Sequence, residues 1–284
     1  MPAQQGKWPV VAGEAAGEVA GKSGTVTGAG ATPGKGASCE FDELLLTAPT
    51  VNGRFTFSDF RRAVAAAQLA DWLPEAPAVV LDLSGAGCFA AGQAVELGHR
   101  VIQAVRPGEQ PADGASGVIG DVTDLGWCLP ASIDIVLAEA GVLSTSLATE
   151  VTVAQLARVL RPGGRALICV DSLLSGCATL AEAERWAELS DVPAADVVLV
   201  PGEDGSLTRC FSPEDIRTVL LEAGFAVDWV RPRTVLPTAQ VEATLHADPS
   251  RLPALVRTEV ALCAQRQGES LGAQLLVSAR LPAG

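Results

Sequence analysis

Short apolar runs alternate with stretches of helical spacing along most of the chain. Val79, Val80, Leu81 and Leu83 read as a buried parallel strand. A small-residue turn over 84–88 leads into a helix over 89–97, which Gly98-His99 stops, and 100–105 is a second apolar strand. Further strands are predicted over 117–122, 133–138, 165–170, 197–200, 225–230 and 274–280. Helices are predicted over 151–160, 173–190 and 213–223, with one or two more over 239–267. Arg161-Pro162-Gly163-Gly164 reads as a tight turn. Ser212-Pro213-Glu214-Asp215 is a helix start, with Ser as N-cap, Pro behind it and acids in the first turn. Upstream, Ser58 is the expected N-cap of a helix over 60–73, carrying Val64, Ala67 and Trp72 on one face and ended by Pro74 and Pro77. Alternating strands and helices predict an α/β domain with a doubly wound, mostly parallel sheet and helices on both faces.

The domain organisation follows from the same pattern. Residues 1–39 are rich in Gly, Ala, Ser and Thr and read as a flexible tail. Within it, Gly21-Lys22-Ser23-Gly24-Thr25 lacks the full phosphate-loop spacing and has no strand leading into it. Residues 40–77 form an N-terminal helical cap segment, expected either to cover a ligand pocket or to pack on the sheet. Residues 78–284 form the α/β domain.

Composition narrows the function. With 20 Lys and Arg against 33 Asp and Glu, the net charge is −13, which argues against a general nucleic-acid footprint. No apolar run reaches the roughly 18 residues of a membrane span, and no secretion signal opens the chain. The seven cysteines are scattered without a C-x-x-C pair, as expected of reduced thiols in a cytoplasmic protein. Two histidines make a His-based metal site improbable, and no metal is expected. Tyr is absent, which removes one common general base.

The most informative stretch is 78–105. A strand, a small-residue turn, a helix and a parallel strand make a nucleotide-binding half of a doubly wound sheet. Small residues let the backbone approach a ligand closely, and the helix start offers free N–H groups.

Together with four later blocks, this unit resembles the class I S-adenosylmethionine-dependent methyltransferases. The unit contributes Leu81-Asp82-Leu83 with its turn, and the later blocks are Gly120-Asp121, Ile133-Asp134-Ile135-Val136 and Leu156-Ala157-Arg158-Val159-Leu160-Arg161-Pro162-Gly163-Gly164-Arg165-Ala166-Leu167. The last is Phe211-Ser212-Pro213-Glu214-Asp215-Ile216 through Leu221-Glu222-Ala223-Gly224-Phe225. The resemblance implies a seven-stranded Rossmann-like sheet whose last strand is antiparallel and lies between the fifth and sixth. It implies S-adenosyl-L-methionine as cofactor and a methyltransferase activity. Asp82 would face the methionine end, and Ser84, Gly85, Ala86, Gly87 and Cys88 would form the loop under the cofactor. Asp121 would accept from the adenine amino group, and Val122 would offer its N–H to the ring. Glu139 and Ala140 would line the methyl-transfer side.

Two positions depart from the family pattern. Its three loop glycines fall on Ser84, Ala86 and Cys88, with Gly85 and Gly87 between them. The acid that ends its second strand, where it binds the ribose hydroxyls, falls on Val105, and Glu109 is the nearest replacement. These departures keep open a catalytically silent scaffold or regulatory subunit, alone as a homodimer or beside an active homologous partner. Gly85-Ala86-Gly87-Cys88-Phe89-Ala90 also fits G-x-G-x-x-A, which keeps open a flavin or nicotinamide oxidoreductase. For methyl transfer, the candidate general bases are Glu139, Asp171 and His246. The acceptor is expected to be a small, partly apolar molecule bound near Trp72, Val142, Leu143, Leu173, Leu174 and Trp186.

Overall fold

The computed structural model describes residues 56–195, 197–202 and 204–283. The tail read over 1–39 and the start of the 40–77 segment lie outside the described residues. In chain order the elements are α1 (Phe57–Trp72), β1 (Val79–Asp82), α2 (Phe89–Glu96), β2 (Arg100–Val105), β3 (Ser116–Ile119) and β4 (Ile133–Ala138). Then come α3 (Val142–Thr145), α4 (Thr149–Val159), β5 (Leu160–Asp171), α5 (Leu173–Glu182) and α6 (Trp186–Asp191). The last are the hairpin β6 (Val198–Pro201) and β7 (Leu207–Cys210), α7 (Pro213–Glu222), β8 (Ala226–Arg233), α8 (Thr238–Ala247), α9 (Leu252–Gln265) and β9 (Gln274–Arg280).

Seven strands form one sheet in the order β3-β2-β1-β4-β5-β9-β8. β9 is antiparallel to both its neighbours and every other pairing is parallel. This is the doubly wound, mostly parallel sheet expected, with the last strand inserted between the fifth and sixth of the sheet. Period-two alternation sorts the strand residues between two cores. Val80, Ile135, Leu137, Leu167 and Leu276 face α1 and α2, while Leu81, Val136, Ala138, Ile168 and Val277 face α4 and α7.

The helix α1 packs on the sheet rather than standing apart as a cap. Leu69, Trp72 and Leu73 lie in the sheet core, and Trp72 donates its ring N–H to Ser278 at 3.0 Å. Its first turns carry Phe60, Ala63 and Val64 against Val241 and Leu245 of α8 and Val256 of α9. The N-cap is Thr56, not Ser58. Asp59 stands three residues after Thr56 and closes a capping box, taking the Thr56 N–H at 2.7 Å and donating its own N–H to the hydroxyl at 3.3 Å. Three residues after Ser58 stands Arg61, which cannot complete that box.

Other differences have equally local causes. Arg161-Pro162-Gly163-Gly164 is a bulge inside the long strand β5, opposite Asp134, because the register passes from Ile133↔Leu160 to Ile135↔Arg165. Gly163 takes φ +81° there, donates to the Leu281 carbonyl, and Arg161 pairs with Asp134 at 2.7 Å. The helix expected over 173–190 breaks into α5 and α6, since Glu184 adopts φ +56° and caps α5. Trp186 is therefore turned out, 59% exposed. The strand at 197–200 pairs with an unanticipated partner, β7.

Candidate functional site

Strand order reverses between β1 and β4, and in open α/β sheets the carboxyl edge at such a point is where ligands sit. A cavity of about 940 Å³ lies there. Four strand ends build it: residues 83–86 after β1, 104–107 and Glu109 after β2, 119–123 after β3, and Ala140 after β4. Val142 and residues 145–148 form the far wall.

The β1 loop turns on Gly85 and Gly87, at φ +83° and +80°, with open space where a Cβ would stand. Ser84, Ala86 and Cys88, on which the glycines of the family pattern fall, are not among the left-handed residues and need no glycine. The Cys88 N–H closes the loop on the Gly85 carbonyl at 3.4 Å. Cys88 then serves as the N-cap of α2 without a side-chain cap. Burial pushes its thiol up to about 11.

Asp82 is fully buried beneath this loop. Its carboxylate accepts the Ser84 N–H at 3.1 Å and the Gln103 amide at 2.9 Å. Burial raises its pKa to about 6, against the lowering effect of those hydrogen bonds. Gln103 also donates to the Gly85 carbonyl at 3.1 Å and accepts the Ala112 N–H at 2.8 Å. It ties β1, β2 and the loop after β2 together, a role the sequence reading missed. The signal was there, a lone amide inside the apolar run of β2.

After β3, Gly120 owes its identity to packing. A Cβ there would meet the Trp127 ring nitrogen at 2.5 Å. Asp121 lines the cavity, with one oxygen accepting both the N–H and hydroxyl of Thr123 at 2.8 Å, which holds its carboxyl below the usual range. Val122 is half-buried beside it. The large apolar side chains Ile119 and Leu147 also line the cavity, 66% and 64% exposed.

The β4 end differs in character. Ala140 and Gly141 take consecutive left-handed conformations, at φ +58° and +69°. The Glu139 N–H donates to the Ser84 hydroxyl at 2.9 Å, linking the β1 and β4 loops. The Glu139 side chain turns away from the cavity. It receives both terminal nitrogens of Arg233, from the end of β8, at 2.6 and 3.0 Å. Both residues are buried, 2% and 3% exposed, and the Arg233 Nε donates to Gln68 of α1 at 2.7 Å. Burial opposes the Arg233 charge, but the adjacent Glu139 carboxylate more than offsets this, so its pKa rises.

Of the anticipated cofactor residues, Ser84, Gly85, Ala86, Asp121, Val122 and Ala140 come together around the cavity. Its wall does not include Asp82, Gly87, Cys88 or Glu139. The three anticipated bases do not converge. Glu139 has both oxygens engaged by Arg233. Asp171 lies under Gly141 and faces a separate cleft of about 230 Å³ shared with Ser175, Thr179 and Thr208, where burial raises its pKa. His246 is exposed on the last turn of α8 and lines neither space. The apolar acceptor set is scattered too. Val142 reaches the cavity, whereas Leu143 and Trp72 are core and Leu174 and Trp186 face solvent. Among the described residues no His, Cys, Asp and Glu group gathers that could hold a metal ion, and no helix is long and apolar enough to cross a membrane.

No protein-family model matches the chain, and no curated protein does. Solved structures do resemble it. One is the 1,6-didemethyltoxoflavin-N1-methyltransferase of Burkholderia thailandensis, with bound 1,6-didemethyltoxoflavin and S-adenosylhomocysteine. It is 20% identical, with 90% of this chain and 93% of that chain covered and a TM-score of 0.50. Another is a Listeria monocytogenes protein assigned as an S-adenosylmethionine-dependent methyltransferase, 13% identical, with 77% and 98% covered and a TM-score of 0.51. The chain has the fold of the class I S-adenosylmethionine-dependent methyltransferases.

Proposed function

We propose that the chain binds S-adenosyl-L-methionine in the 940 Å³ cavity and transfers its methyl group to a small, partly apolar acceptor. The observation that carries this reading is the cavity itself, which joins the β1, β2, β3 and β4 ends of a methyltransferase-type sheet. The residues fit a nucleoside at one end. Ile119 and Leu147 offer exposed apolar walls for a flat base, and Asp121 offers a carboxylate beside them. The backbone over 84–86 offers a close approach. Bound there, the cofactor supplies an already activated methyl group on a sulfonium.

The chain's own residues then have to hold and align rather than activate. The Gln103 amide and the Ser84 hydroxyl fix the β1 loop to β2 and β4. The Asp82 carboxylate places negative charge beneath that loop. Asp171 stands at the end of β5 beneath Gly141 but faces the separate cleft, so none of the three anticipated bases lines the cavity to receive a proton from an acceptor. The Burkholderia structure holds 1,6-didemethyltoxoflavin, which supports a small-molecule acceptor here.

A second reading is favoured by the sealed Glu139–Arg233 pair. Glu139, anticipated on the methyl-transfer side, has both oxygens engaged by the buried Arg233, which supports a silent methyltransferase-like subunit. The oxidoreductase reading gains no support, since β9 interrupts the strand order a dinucleotide fold uses.

Titration calorimetry with S-adenosylmethionine and S-adenosylhomocysteine tests the proposal. Micromolar binding of both is expected. A folded protein that binds neither up to millimolar ligand overturns it. NAD and FAD in the same cell check the remaining alternative.

A further inference from the structure

We propose that a second ligand site lies at the opposite, amino edge of the sheet, where the Arg165 guanidinium receives a small oxyanion, a carboxylate or a phosphate. A cleft of about 280 Å³ opens there, between the loop that follows α1 and the bulge of β5. Pro74, Pro77 and Ala78 come from the loop, Asp134 from β4, and Arg161 and Arg165 from β5. The volume falls just under the roughly 300–1,000 Å³ usual for small organic ligands, which suits a compact anion. The site goes beyond the methyl-transfer reading and does not depend on it.

The charges around the cleft do not cancel. Arg161 pairs with Asp134 at 2.7 Å, and the other Asp134 oxygen accepts the Val79 N–H at 2.8 Å. Arg280 stands opposite Arg165 in the β5–β9 pairing and is itself paired with Asp228 at 2.9 Å. Three arginines thus share two aspartates, and Arg165 is left over. Among the described residues its guanidinium has no carboxylate partner, and its N–H groups have no acceptor. Asp71 and Glu75, the acids nearest in sequence to the loop wall, are exposed and do not line the cleft. Arg165 is nevertheless held in place. Its Cζ lies 4.4 Å from the centre of the Trp72 ring, and Trp72 is fixed in turn by its bond to Ser278. A ring face attracts the cation without consuming an N–H donor. A half-buried side chain held in this way loses little further freedom on binding. Its planar fork matches two oxygens of one carboxylate or phosphate. Pro74, Pro77 and Pro162 stiffen the walls. The whole chain carries −13, but exposed charges beyond about 8 Å are screened at physiological ionic strength, so the local surplus decides.

The test is a titration of the full chain with inorganic phosphate, and separately with acetate, against chloride at constant ionic strength. The readout is the Trp72 indole N–H resonance in nuclear magnetic resonance, identified by its loss in Trp72→Phe. Wild type should show a saturable shift with at least one of the two oxyanions, with a midpoint of about 1–10 mM, and none with chloride. The tighter of the two tells a carboxylate ligand from a phosphate. Arg165→Gln should raise the midpoint by about tenfold or more. Asp134→Asn keeps an oxygen for the Val79 N–H, removes a negative charge and releases Arg161, so it should lower the midpoint by about threefold. Because this second variant moves affinity the other way, it decides the matter even where Arg165→Gln fails to fold. A midpoint unchanged in either folded variant overturns the assignment. So does a wild type that shows no saturable shift with either oxyanion, or that responds equally to chloride.

Discussion

At the β2–β3 end of the carboxyl edge, large apolar side chains stand in solvent. Ile119 there is mostly exposed, as is Leu147 on the facing wall of the cavity, and the polar groups Glu109 and Asp121 sit on loops closed by short local hydrogen bonds. At the β4–β8 end the arrangement is inverted. Glu139 and Arg233, both charged, are buried and joined across 94 positions of sequence, with Gln68 of α1 as third partner. Exposed apolar surface is stabilised by acquiring a ligand. A buried ion pair is stabilised by staying closed, because each charge has given up water for the other. One end of the edge therefore presents apolar surface to solvent, and the other keeps its charges paired and buried.

The sharpest way to break that contrast is Arg233→Met. It leaves Glu139 buried without a counter-charge, and should cost about 3–5 kcal/mol in denaturant unfolding. The double variant Arg233→Met with Glu139→Leu removes both charges and should recover most of the loss. If the single variant is nearly as stable as wild type, the β4–β8 end is looser than its geometry implies, and the two ends do not differ in kind.

Asp82 sits between the two ends and is tested by pH. Its folded pKa of about 6 lies above the ordinary aspartate value of 3.8. An acid whose folded pKa is raised stabilises the fold when protonated. Its contribution is complete below the unfolded pKa and is lost as pH rises through the folded one. Relative to Asp82→Asn, wild-type stability should therefore fall by about 2 kcal/mol between pH 4 and pH 7. A flat difference curve would show that Asp82 titrates as an ordinary carboxylate. The same charge, carried at neutral pH against its burial, is what a cationic ligand above the loop would relieve.

The contrast between the ends also explains what could be read from the sequence. Strands β2, β4 and β9 were legible to the residue because each is a mainly apolar run bounded by polar or turn residues. The start of α7 was legible because Ser212 and Asp215 are a local pair. The open end of the site shared this locality: Ser84, Gly85, Ala86, Asp121 and Val122 all belong to turns that directly follow a strand. The closed end did not. Nothing near Glu139 marks it as the partner of Arg233, and nothing in Val230-Arg231-Pro232-Arg233 distinguishes the buried arginine from its neighbour. The break at Glu184 was equally hidden, since a left-handed Glu has no signature that a glycine would supply. The bulge at Arg161–Gly164 was read as a turn because Pro and Gly signal departure from regular geometry but not whether the strand resumes. Gly120 was legible as part of a cofactor motif and lines the cavity, while its missing Cβ also makes room for Trp127, which no local signal announced.

The smallest effect separates binding from folding at the open end. Leu147 follows α3, is mostly solvent-exposed, and makes part of the cavity wall. Leu147→Ser removes little that folding has buried, so unfolding stability should stay within about 0.5 kcal/mol of wild type. A base lying against it would cover roughly 40 Å² of apolar surface, worth about 1 kcal/mol, so S-adenosylhomocysteine should bind about fivefold more weakly. The two readings must move apart: affinity down and stability level. Were stability to fall while affinity held, Leu147 would be a packing residue and the exposed apolar wall would have no ligand to meet. The opposite pair of outcomes places the ligand's flat apolar part against the wall that follows α3.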